Sequence, residues 1–198
     1  MCIRDRIIFS SDNGPVLNDG YYDDSDVKNG DHLPSGPYRG GKYSLFEAGT
    51  RVPFFTYWKG KIQPGVSDSM VSQLDLLSSL AQLVGSEVRT ADSLPLLELL
   101  MGQSDEGRDE MVIEATSRTA FKRGDWIMIP PYEGPAVNDK VQIELGNDSD
   151  FQLYNLTEDI EQQNNLAALK PDKLQEMLMA FEAIRGDDYG KIEKLELK

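Results

Sequence analysis

The chain is poor in the residues that would point to several common functions. It has one cysteine, one histidine, and 20 Lys+Arg against 34 Asp+Glu, a formal net charge of −14 at pH 7. That balance argues against nucleic acid as a partner, because phosphate backbones call for a basic surface. No apolar run is long enough to span a bilayer. The lone cysteine lies in Met1-Cys2-Ile3-Arg4-Asp5, which together with Arg6 reads like the translation of a sequencing-adapter end. Residues 1–6 are therefore set aside as a scar, and Cys2 carries no argument about redox compartment or catalysis. On this reading the natural sequence begins inside a strand, and an upstream part of the protein is expected.

The remainder has the composition of a soluble globular chain, 39% hydrophobic and 27% charged over 198 residues, enough for one ordinary domain or two small ones. Ile7-Ile8-Phe9 is a short apolar run bounded by turn residues, the pattern of a buried parallel strand. It runs into Ser10-Ser11-Asp12-Asn13-Gly14-Pro15. In α/β sheets ligands gather beyond the carboxyl ends of strands, and an adjacent carboxylate and amide oxygen, Asp12 and Asn13, suit a hard cation such as calcium. The same letters also make an ordinary turn. Between Arg39 and Lys61 stand five cations (Arg39, Lys42, Arg51, Lys59, Lys61) and one anion, Glu47, a local positive island in an acidic chain. Such an island suits an anionic ligand or a solvated basic loop. Gly40 and Gly41 would let backbone come close to a ligand.

Residues 16–35 read as a long polar loop holding His32, which is placed either to touch substrate or simply to face solvent. Val52 to Trp58 suits a second buried strand. Ser72 to Val84 reads as a helix opened by Ser72-Gln73-Leu74-Asp75 in capping-box form. Its apolar face, Met70, Leu74, Leu77, Ala81 and Val84, is expected to cover the sheet. The polar stretch Gly102 to Arg108 suggests a boundary, giving residues 7–105 as part of an α/β domain and 106–198 as a small subdomain. In the latter, strand-like runs at Met111–Ala115, Arg118–Lys122, Trp126–Ile129, Val141–Leu145 and Phe151–Tyr154 precede a helix from Pro171. That helix carries Leu174, Leu178, Phe181 and Ile184 on one face and makes the subdomain α+β.

The ordered series Phe9–Pro15, Gly36–Lys42, Glu47–Pro53, Tyr57–Ile62, Pro64–Val66 and Ser72–Leu77 resembles the calcium- and formylglycine-dependent sulfatases. Gly124-Asp125-Trp126, Leu153–Leu156 and Asn165–Ala167 resemble that family's later signatures. Ile160 and Ile127 depart from it, standing where proline and lysine are usual. The resemblance implies an alkaline-phosphatase-like α/β fold with a small antiparallel carboxy-terminal domain. It also implies hydrolysis of sulfate esters, those of sulfated carbohydrates in particular, and a periplasmic or extracellular location. By position, Asp12 and Asn13 become calcium ligands, Lys42 the cation that binds sulfate and stabilises its developing charge, and Arg39 and His32 substrate-side residues. The formylglycine and the remaining calcium ligands are expected upstream, which makes this chain inactive alone. A phosphodiesterase or phosphonate hydrolase of the same superfamily, and a non-catalytic module binding calcium or sulfated glycan, are the alternatives.

Overall fold

The structure, a computed structural model, describes residues 6–88 and 90–186. Met1–Asp5, with Cys2, lie outside the described residues. In chain order the elements are β1 (Arg6–Ser10), α1 (Ser25–Lys28), a 3-10 turn (Glu47–Gly49), β2 (Phe54–Trp58), α2 (Asp75–Leu83) and α3 (Leu97–Leu100). There follow β3 (Glu110–Ala115), β4 (Arg118–Arg123), β5 (Trp126–Ile129), β6 (Val137–Asn138), β7 (Ile143–Glu144), β8 (Gln152–Asn155) and α4 (Pro171–Arg185). They fall into two compact units that do not follow chain order. One takes the chain up to Ser10 with Pro53–Asp109; the other takes Ser11–Val52 with Glu110 onward. The chain passes from the first unit to the second at Asp109/Glu110, and the segment from Ser11 to Val52 groups with the later residues.

The second unit is built on the antiparallel sheet β3-β4-β5-β8. Its strands form where the sequence alternates short apolar runs with turns, and they come within a residue or two of the expected bounds. Register places Phe121 opposite Met128 and Met128 opposite Leu153, so these three line one face. There they pack with Met177 and Phe181 of α4 in a fully buried cluster. The inward face of α4 thus includes Leu174, Met177, Leu178 and Phe181, while Ile184 is exposed rather than inward. Residues one step along each strand, Ala120, Ile127 and Tyr154, point to the opposite face, as strand pleating requires. Ile127, one of the departures from the family pattern, is fully buried there, where a lysine would have to lose its hydration. The cover on that face comes from far away in sequence: Leu45 and Phe46 complete the cluster. Two wholly buried side chains of this size contribute about 1.5–3 kcal/mol each. This burial explains why the early segment belongs with the late sheet.

The first unit departs from expectation in two places. β1 is neither parallel nor buried. It pairs antiparallel with β2, Ile7 opposite Tyr57 and Phe9 opposite Phe55, whose rings stack at 4.7 Å. Ile7 and Phe9 remain 47% and 49% exposed. An apolar run reports a strand that can be buried, but burial itself needs layers on both faces, and among the described residues this sheet has two strands. Nor does α2 hide its leucines: Leu74 and Leu77 are more than half exposed, and Val84 more so, while Asp75, Ser78 and Ser79 are buried. The reason lies in the irregular segment alongside, whose backbone groups need partners. Asp75 Oδ1 accepts from the Leu94 N–H (2.8 Å), the Ser93 hydroxyl accepts from Ser78 N–H (3.0 Å), and the Ser79 hydroxyl accepts from Leu96 N–H (2.9 Å). Asp75 also takes the Ser72 N–H (2.9 Å), the return half of the expected capping box, and a two-pronged grip from Arg108 at 2.8 and 2.6 Å.

Candidate active site

Asp12, Asn13, His32, Arg39 and Lys42 all lie in the second unit. Directly after β1 the chain turns through Ser11–Pro15, where the Ser11 hydroxyl donates to the Asn13 carbonyl and the Asn13 Nδ2 to the Gly14 carbonyl, both at 3.0 Å. The amide nitrogen of Asn13 is thus occupied and its oxygen is left as an acceptor. The Asp12 carboxylate is exposed and, among the described residues, makes no hydrogen bond or ion pair.

Two backbone hydrogen bonds tie this turn to the segment bearing Lys42. Gly14 N–H donates to the Gly49 carbonyl at 2.9 Å, and Lys42 N–H to the Pro15 carbonyl at 3.0 Å. The approach is closer than side chains would permit. A Cβ on Gly14 would stand 1.7 Å from the Ala48 carbonyl oxygen, and one on Gly41 2.6 Å from that of Pro15. Glycine at these two places is what lets the Asp12–Asn13 turn and the Lys42 loop share one small region.

The positive island is not a uniform patch. Lys59 and Lys61 fall in the first unit. Arg39 is spent within the protein: its Nε and Nη2 grip the Glu144 carboxylate at 2.8 and 2.6 Å, its Nη1 donates to the Gln162 carbonyl at 2.7 Å, and it lies over the Phe46 ring. The Glu144 hydrogen bond raises the Arg39 pKa above its ordinary value and, reciprocally, lowers that of Glu144. Arg51 Nε and Lys122 Nζ both reach Glu47 Oε1, at 2.6 and 2.5 Å. Burial pushes the Lys122 ammonium down, and Glu47 opposes this only in part. Lys42 stands apart. Its ammonium lies 5.5 Å from the Tyr43 ring centroid, and among the described residues it has no carboxylate partner. His32 is exposed in the turn after α1, its N–H donating to the Asn29 carbonyl at 3.2 Å.

The sequence gives no warning of the residues that hold this loop. Glu144, Gln162, Lys122 and Arg118, whose Nη2 donates to the Tyr43 carbonyl at 3.1 Å, arrive from 75 to 123 positions downstream. No spacing rule reaches that far.

Residues 6–86 match the family described as Sulfatase. The chain is 39% identical to the N-acetylgalactosamine-6-O-sulfatase of Bacteroides thetaiotaomicron over 183 residues, 90% of this chain and 36% of that protein. This chain belongs to the sulfatase family. Human arylsulfatase A is 36% identical over 107 residues, 53% of this chain and 19% of that enzyme. A sulfatase structure solved in work on glycosaminoglycan metabolism by Bacteroides thetaiotaomicron superposes with a TM-score of 0.85 at 38% identity, covering 90% of this chain and 38% of that one. A sulfatase from Pseudoalteromonas sp., 22% identical, shares the fold at a TM-score of 0.67 over 90% of this chain and 36% of its own. The fold is therefore the alkaline-phosphatase-like one of sulfatases, and the chain spans a little over a third of the Bacteroides enzyme.

The donor set for a metal is partial. Asp12 and Asn13 bring two hard oxygen donors, whereas calcium takes six to eight. Among the described residues no group of three or more His, Cys, Asp or Glu side chains could hold a metal ion. No described helix is long and apolar enough to cross a membrane.

Proposed function

We propose that this chain supplies two calcium ligands, Asp12 and Asn13, and a sulfate-binding cation, Lys42, to a hydrolase of sulfate esters on carbohydrates. The observation that carries the reading is the pair of backbone hydrogen bonds, Gly14 to Gly49 and Lys42 to Pro15, which brings into one region a carboxylate and an ammonium that have no ion-pair partner among the described residues. A carbohydrate substrate is favoured by the similarity to the Bacteroides N-acetylgalactosamine-6-O-sulfatase. Calcium, when bound, supplies a Lewis acid for sulfate oxygens. Asp12 and Asn13 hold it through their oxygens in company with ligands from outside this chain. Lys42 then meets an oxygen of the same sulfate and stabilises the negative charge that grows there as the ester bond breaks, an interaction stronger in the transition state than before it. Arg39 and Glu144 keep the Lys42 loop in place. His32 is a candidate contact for the sugar.

The chain alone is proposed to be inactive, because no Cys/Ser-x-Pro-Ser-Arg nucleophile motif occurs in its 198 residues and covalent catalysis needs that group. The place of action is proposed to be the periplasm or the cell exterior. The test joins this chain to the amino-terminal part of the Bacteroides relative and measures release of sulfate from 6-O-sulfated N-acetylgalactosamine. Lys42→Ala is expected to lower kcat by about a hundredfold or more with calcium content unchanged, and Asp12→Ala to lose calcium and activity together. Turnover by Lys42→Ala equal to the parent would overturn the assignment.

A further inference from the structure

Lys42 sits in the middle of a segment whose two ends are held by a single distant residue. The Gln162 backbone carbonyl accepts from Arg39 Nη1 at 2.7 Å, and its side-chain Oε1 accepts from the Glu47 N–H at 2.7 Å. The same segment closes on itself through Ala48 N–H to the Arg39 carbonyl at 3.0 Å. Gln162 is wholly buried and has a positive φ of 50°, a conformation uncommon for residues other than glycine. Its orientation is fixed, since only the amide oxygen can accept from an N–H. Two buried polar atoms are left over beside that bond: Gln162 Nε2, a donor, and Glu47 Oε2, an acceptor. A positive φ and unmatched polar atoms gather on one residue pair, at the ends of the segment that carries Lys42, the only cation of the loop that lacks a carboxylate among the described residues.

We propose that Gln162 is a positioning residue for Lys42. By holding Arg39 and Glu47 at once it sets the path of the loop between them, and with it the root of the lysine side chain. The proposal rests on the reading of Lys42 as the sulfate-binding cation, but the clamp itself is tested without it. Gln162→Met keeps size and removes the acceptor, so the buried Glu47 N–H loses its partner and the loop gains reason to open.

In the 198-residue chain, amide hydrogen exchange at Glu47 and Lys42 is expected to speed up at least tenfold in Gln162→Met, while Phe121 and Met128 in the sheet keep their protection. Gln163→Ala, at the exposed neighbour, should match the parent at every site. In the joined enzyme, Gln162→Met is expected to lower kcat on 6-O-sulfated N-acetylgalactosamine at least tenfold, with calcium content unchanged. Exchange at Glu47 and Lys42 that stays as in the parent overturns the clamp, as does loss of protection spread evenly over the sheet. Faster exchange with unchanged kcat overturns its link to Lys42. A parent joined enzyme with no sulfate-ester turnover would instead fault the sulfatase reading, leaving the exchange result to decide the clamp.

Discussion

Replacing Lys122 by methionine takes the ammonium from a Glu47 carboxylate that is 2% exposed and keeps most of the aliphatic stem of β4 in place. Removing one partner of a buried ion pair costs about 3–5 kcal/mol, because the other charge stays behind without water. Arg51 remains on the same oxygen at 2.6 Å, so the lower end, about 3 kcal/mol, applies. Adding Glu47→Leu removes the stranded carboxylate, while the backbone N–H of residue 47 keeps its bond to Gln162 and the partly exposed Arg51 turns to solvent. The double variant should therefore lose about 2 kcal/mol less than the sum of the two single losses, a coupling of that size. The assay is urea unfolding in a Trp58→Phe background, so that Trp126 reports the unit containing the pair. With a slope of about 1–3 kcal/mol per molar urea, a loss of 3 kcal/mol moves the midpoint by about 1–3 M. If Lys122→Met costs less than about 1 kcal/mol, or the double variant merely sums the two single losses, the charges are hydrated and the burial argument fails.

Three other outcomes are expected. Gly14→Ala, whose Cβ would meet the Ala48 carbonyl at 1.7 Å, should lower stability by about 1–3 kcal/mol and speed amide exchange at Lys42, whose N–H is bonded to the Pro15 carbonyl; a melt like the parent's would show that the two turns separate at no cost. Asp75→Asn leaves Arg108, 12% exposed, without its counter-charge, and should cost about 3 kcal/mol, read from Trp58 with Trp126→Phe; an unchanged midpoint would mean that the pair is solvated. The Glu144 pKa is lowered in the fold by its hydrogen bond from Arg39, so its stabilisation is present above the unfolded value near 4.5 and is lost as pH falls through the lower folded value. Glu144 is 44% exposed, so solvent screens the pair and the loss should stay below about 1 kcal/mol. It should vanish from the acid limb of the stability curve in Glu144→Gln, and a limb identical to the parent's would deny the linkage.

What the sequence made legible was local. The strands from Glu110 to Asn155 announce themselves because short apolar and aromatic runs alternate with turn residues, and each face then follows from pleating. Asp12, Asn13 and Lys42 stand out through ordered motifs, and glycines 14 and 41 through their place in them. The failures share a cause. Periodicity on α2 identifies a leucine face, yet the buried face is Asp75, Ser78 and Ser79, since neighbouring backbone groups decide which side turns inward. The apolar run of β1 predicts burial without saying what would do the burying. The tie from Arg39 to Glu144 is likewise invisible among its neighbours, since it forms only when a residue 105 positions away is brought beside it.

The grouping of Ser11–Val52 with Glu110 onward has a consequence for how the protein is made. Glu47 leaves the ribosome 115 residues before Gln162, and at roughly 5–20 residues per second that is a wait on the order of ten seconds. During that wait its backbone N–H lacks the Gln162 amide oxygen, its carboxylate lacks Lys122 for the first 75 of those residues, and Leu45 and Phe46 have no complete sheet to cover. A nascent chain in that state shows apolar side chains and a bare loop to chaperones and proteases alike. Lesions late in the chain, in β4, β7 or the Gln162 turn, should therefore surface as failures of the early loop.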